Sequence, residues 1–120
     1  NFVGMYGLHA SLALIQEIGI EHVAERVLSL AGSLIADLRD RGFKLAASTA
    51  PEHRSGIVIA EVADPAGASA RLEQAGFVCI PRGKGVRIAP HFYNTEDEVQ
   101  RVGEALSELS HEGIANAIRA

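Results

Sequence analysis

Tryptophan is absent from this chain of 120 residues, and cysteine occurs once, at Cys79. One thiol excludes an internal disulfide, and the composition is compatible with a reducing, cytoplasmic compartment. Lysine is scarce too, since only Lys44 and Lys84 carry an ε-ammonium. No apolar run approaches the roughly 20 residues of a membrane-crossing helix. Basic excess is also lacking: 15 acidic residues against 11 lysines and arginines leave a formal charge of -4. That balance argues against a nucleic-acid partner, whose phosphates favour a basic face. The histidines, at positions 9, 22, 53, 91 and 111, show no His-x-x-x-His spacing, and no Cys-x-x-Cys accompanies them. A metal site is not expected.

What remains is a globular composition, with 48% hydrophobic and 22% charged residues. A chain of this length fits one domain, burying roughly two-thirds of the surface its unfolded form exposes. Leu8, Leu12 and Ile15 share a helical face, which predicts a helix over about 7–18 that Gly19 ends. Ile20, Val23, Val27, Leu30, Leu34 and Leu38 step by three or four and predict a second helix, stopped at Gly42. Gly32 within it would permit close approach of a neighbour.

Strands are expected at 43–48, weakly, and at 57–62, most clearly, with a loop at 49–55 that carries Pro51. Asp64-Pro65 reads as an N-cap with proline at the first helical position, and Gly76 closes that helix. Strands over 77–81 and 86–89 flank a turn at Arg82-Gly83-Lys84-Gly85. A final helix from Glu96 presents Val99, Val102, Leu106 and Leu109, with an interruption expected at Gly113. This order predicts an α+β fold, a two-layer sandwich in which helices cover a small, mostly antiparallel sheet.

One segment combines a core pattern with a candidate site. Val86 and Ile88 point to one side of their strand and Arg87 to the other, because successive strand side chains alternate. Thr95 and Glu98 have the spacing of a capping box, in which each side chain satisfies an amide of the first helical turn. The run Arg87 to Val99 resembles the Arg-Ile-Ser-Pro-His-Phe-Tyr-Asn-Thr-x-x-Glu-Val segment near the C-terminus of class V aminotransferases, with Ala89 in place of serine. The opening run Asn1 to Leu12 resembles a second segment of that family, one that follows a Gly-Thr-Pro triplet. The resemblance runs in order from Asn1 to about Leu109.

The resemblance implies the C-terminal small domain of a fold type I, pyridoxal-phosphate-dependent enzyme. Residues 1–120 would form one such domain, with 1–42 a helical lead-in and 43–120 the sheet with its helices. The large domain, with the Schiff-base lysine and most cofactor contacts, would lie outside this sequence. Pyridoxal phosphate is then expected in the intact enzyme, a homodimer acting on an amino acid by transamination or epimerisation. No cofactor is expected on this chain alone, which would be inactive. Arg87 is assigned the substrate carboxylate, because a planar guanidinium gives two parallel hydrogen bonds that fix orientation. Asn1, His91 and Tyr93 are expected to line the same cleft, and no catalytic residue is assigned to this chain.

Cys79 is weighed against the nucleophile of the related cysteine desulfurases. The loop that carries that nucleophile has no counterpart before Val86, so Cys79 reads as a small buried hydrophobe. Gly83-Lys84-Gly85 reads as a tight turn more readily than as a phosphate cradle. The alternative to the enzyme reading is a stand-alone, non-enzymatic α+β module that binds a small carboxylate or a partner protein.

Overall fold

Four helices and three short strands are arranged in the computed structural model, which describes residues 1–46, 48–50 and 52–119, the last nine of these in backbone alone. Ala47 in the expected weak strand and Pro51 in the loop lie outside the described residues. Helix α1 is Phe2–Ile18 and α2 is Ile20–Asp40. After them come β1 (Val58–Glu61), α3 (Pro65–Gln74), β2 (Ile80–Arg82), β3 (Gly85–Ile88) and α4 (Glu96–Arg119). The sheet order is β1-β3-β2 with both pairings antiparallel. This is the α+β arrangement read from the sequence. Among the described residues no helix is long and apolar enough to cross a membrane.

Helices α2 and α3 stop by the same device. Gly42, at φ 86°, donates to the Arg39 carbonyl at 2.9 Å while Phe43 N–H reaches back to the Leu38 carbonyl at 2.9 Å. Gly76, at φ 91°, and Phe77 repeat the pattern on Glu73 and Leu72, at 2.9 and 2.8 Å. The left-handed residue reverses the chain, and the phenylalanine after it packs on the core, as this closure requires. Each helix thus delivers its chain back toward the sheet.

The core forms between one face of the sheet and three helices. Val58, Ala60, Val86 and Ile88 project from β1 and β3 onto Leu30, Leu34 and Leu38 of α2, Leu72 of α3 and Val99, Val102 and Leu106 of α4. Burying each leucine stabilises the fold by about 1.5–3 kcal/mol. On α2 the buried stripe runs through Val23, Ala31 and Ile35 as well, whereas Ile20 is exposed. Gly32 faces the guanidinium of Arg54, so the close approach expected there is made by the 49–55 loop.

The larger differences from the sequence reading each have a local reason. Helix α1 begins at Phe2 because Asn1 caps it, its Oδ1 accepting the Gly4 N–H at 3.0 Å. The expected strand over 43–48 contracts to one bridge, Leu45 opposite Ala60, flanked by hydrogen bonds from Ala46 N to the Ile59 carbonyl and from Glu61 N to the Lys44 carbonyl. β2 starts at Ile80, because Phe77 N–H is committed to closing α3 and the Cys79 carbonyl accepts the Ser69 hydroxyl at 2.5 Å. α4 continues through Gly113 to Arg119. A single glycine costs a helix about 1 kcal/mol, which need not end it.

Candidate functional site

Strand alternation puts Arg87 on the side of the sheet that the helices leave open. Its neighbours Val86 and Ile88 are buried in the core, while Arg87 itself is half-buried. The register places Ile59 of β1 and Ile80 of β2 directly beside it, so one guanidinium stands between two branched apolar side chains. Ile59 is half-buried and Ile80 exposed. Among the described residues the guanidinium of Arg87 has no hydrogen-bond or ion-pair partner. A cation with apolar flanks and no internal partner is disposed to take a carboxylate, and partial desolvation by the isoleucines strengthens such a contact.

The segment after β3 is fastened at several points. Asn94 donates its backbone N–H to the His91 carbonyl at 3.0 Å and accepts the His91 N–H on Oδ1 at 2.8 Å, which closes a tight turn. Thr95 and Glu98 make the reciprocal capping box: Glu98 N–H donates to Thr95 Oγ1 at 3.2 Å and Thr95 N–H to Glu98 Oε2 at 2.8 Å. That bond, with a second from Asn94, holds the Glu98 carboxyl below the usual carboxylate range. The capping box expected from the sequence is therefore in place. His91 and Tyr93 ride on the turn with ring centroids 4.8 Å apart and planes inclined by 27°.

Arg26 of α2 reaches this turn from the other side. Its guanidinium donates to both oxygens of Glu96 and to the Asn94 carbonyl. The hydrogen bond from Arg26 lowers the Glu96 carboxyl to about 2 and raises the arginine's own value. Nothing in the sequence marks the pair, since its members are 70 residues apart.

Asn1 is occupied as the α1 cap, at the far end of that helix from α2. Lys44 and Lys84, both exposed, line a shared cleft of about 610 Å³ with Glu61 and Pro65. A second cleft, of about 600 Å³, lies between α3 and α4 over Ala68, Leu106 and Leu109. Neither is lined by Arg87. Cys79 is half-buried against the core, and burial pushes its thiol up to about 11.

No protein-family model matches the chain. Over 101 residues, 82% of its length, it is 29% identical to YcbU of Bacillus subtilis (strain 168), an uncharacterized aminotransferase of which that match covers 26%. The isopenicillin N epimerase of Amycolatopsis lactamdurans is 60% identical over 30 residues, which are 25% of this chain and 8% of the epimerase. An apo cysteine desulfurase from Thermococcus onnurineus NA1 shares the fold, with a TM-score of 0.79 over 88% of this chain and 30% of that one at 19% identity. The chain therefore spans about a quarter of the aminotransferase's length. Over most of its length the chain is thus similar to a protein named as an aminotransferase, and over a shorter stretch to an epimerase, in keeping with the resemblance of its two sequence segments.

Proposed function

We propose that this chain is the C-terminal small domain of a pyridoxal-phosphate-dependent enzyme acting on an amino acid, and that Arg87 holds the substrate's α-carboxylate. The observation that carries the proposal is the guanidinium of Arg87, without a partner among the described residues, between Ile59 and Ile80 on the open face of the sheet. Transamination and epimerisation, the activities named in the two curated relatives, both require an amino acid held in a fixed orientation. A bidentate arginine contact supplies that orientation through the carboxylate. His91 and Tyr93 lie on the turn that follows the same strand and are proposed to border the cleft.

The chain's own residues do not suit the cofactor itself. Both lysines are exposed and share their cleft with the Glu61 carboxylate. The Asp64 carboxylate caps the N-terminus of α3, accepting the Gly67 N–H at 3.0 Å where a phosphate would otherwise be favoured. The lysine and the phosphate site are accordingly assigned to residues outside these 120, in a large domain and its dimer partner, with the enzyme in the cytoplasm. When bound there, pyridoxal phosphate would supply the electron sink for chemistry at the substrate's α-carbon. This chain contributes orientation, and by itself is inactive.

The exposed apolar surface of α1 favours this reading over a self-sufficient binding module, since seven of its large apolar side chains, from Phe2 to Leu14, are at least half exposed. Kinetics of the full-length enzyme test the role of Arg87. Arg87→Lys keeps the charge but loses the planar fork, and is expected to lower kcat/KM for amino-acid substrates by about tenfold or more. Unchanged kinetics would remove Arg87 from the site.

A further inference from the structure

We propose that Arg26 is a positioning residue: it clamps the His91–Asn94 turn onto α2 and so fixes the His91–Tyr93 ring pair relative to Arg87. The proposal rests on the reading of Arg87 as the carboxylate-binding residue, but the clamp has its own geometry. Arg26 uses two guanidinium nitrogens on three acceptors: Nη2 donates to the Asn94 carbonyl at 3.0 Å and to Glu96 Oε2 at 3.1 Å, and Nη1 donates to Glu96 Oε1. Only a planar fork matches a carboxylate and an adjacent carbonyl at once.

Asn94 is the residue through which the clamp acts. Its backbone N–H and its Oδ1 both engage His91, and its Nδ2 donates to Glu98 Oε2 at 3.2 Å. Holding the Asn94 carbonyl therefore holds both ends of the turn and the start of α4. Burial does not hold the rings in place, since Tyr93 is 72% exposed and His91 is exposed as well. Polar contacts must do so instead. Between Arg87 and His91 stand Ile88, Ala89 and Pro90, the first and last of them buried and Ala89 exposed, with Pro90 restricted in φ. The orientation of the turn thus passes to the open face through a short, stiff connection of at most about 13 Å, four residues of extended chain.

A half-exposed ion pair adds little to global stability, so the clamp's effect should be local. Nuclear magnetic resonance on this 120-residue chain separates the two. The readouts are ring-to-ring cross-peaks of His91 and Tyr93, the Nε–H resonance of Arg87 titrated with sodium propionate, and methyl resonances of Leu34 and Leu106 as reporters of the core. Arg26→Gln and Glu96→Gln are each expected to abolish the ring cross-peaks, weaken propionate at Arg87 by about threefold and leave the core methyls in place. The exchanged pair, Arg26→Glu with Glu96→Arg, should restore the ring contact. Ring cross-peaks that survive both glutamine variants overturn the proposal, and so does loss of the core methyl pattern along with them, which would mark a general structural role. If propionate leaves Arg87 of the unaltered chain unmoved, the carboxylate reading fails, and the ring cross-peaks alone then decide for or against the clamp.

Discussion

Gly103 of α4 lies directly against the carboxylate of Asp37 on α2. Both Asp37 oxygens accept from Arg41 Nε, at 2.8 and 2.9 Å, and Arg41 continues to Glu104 at 3.8 Å. A side chain at 103 would overlap the Asp37 carboxylate, so the carboxylate or the helix must move to admit one, and the carboxylate is tied to Arg41. Gly103→Ala gains helix propensity of about 1 kcal/mol, but overpacking of this kind costs about 1–3 kcal/mol and a displaced ion pair adds to it. The net expectation is a lower urea midpoint. A midpoint equal to or above that of the unaltered chain would mean that α4 shifts freely.

Acid should loosen the start of α4 before the core. Glu96 titrates at about 2 because of Arg26, and Glu98 is lowered by the Thr95 N–H. Both carboxyls bind protons less readily when folded. Their contribution is therefore complete above the ordinary carboxylate value of about 4.3 and lost as pH falls toward the folded values. Both groups are exposed, so the effect is small and salt-sensitive. Stability measured from neutral pH downward should decline less steeply in Glu96→Gln than in the unaltered chain. Parallel curves would show that the pair contributes nothing to folding.

Cys79 should resist thiol reagents while the chain is folded. With its thiol pushed up to about 11 by burial, little thiolate exists at mildly alkaline pH. At pH 8 the fraction is about one in a thousand, against about one in four for an unperturbed cysteine. Disulfide reagents should then react about a hundred times faster in denaturant than in buffer. Equal rates would place the thiol in solvent and reopen a sulfur-transfer role.

The readable parts of this fold are those set by short-range chemistry. Thr95 with Glu98, Asp64 with Pro65, and the apolar stripe of α2 each announce themselves within a few residues, and each stands where expected. The Asn1 cap went unread, although asparagine is a favoured N-cap residue. Gly4 and Gly7 disguised the helix that follows it. Long-range relationships left no comparable trace. Nothing near Arg26 points to Glu96, nothing near Gly103 to Asp37, and the fate of Leu45 depended on how far β1 extends. Arg87 lay between these cases, with its open face given by alternation and its isoleucine neighbours only by register.

Helix α1 carries the last prediction. Phe2, Val3, Met5, Tyr6, Leu8, Leu12 and Leu14 are all 50% or more exposed, and none of the helix's residues is buried. They point in several directions around the axis, unlike the single stripe of α2. A helix apolar on all sides belongs in an interior, because water charges about 25 cal/mol for each Å² of apolar surface left in contact with it. The chain should therefore self-associate as its concentration rises, through α1. Replacing Met5 and Leu8 by lysine should disperse these species and leave the thermal unfolding of the core nearly unchanged, since α1 lends nothing to that core. Sedimentation velocity over a series of concentrations checks the first expectation and calorimetry the second. A single monomeric boundary at every concentration would mean that α1 is covered in some other way, and its apolar surface would no longer favour a domain of a larger enzyme over a self-sufficient module.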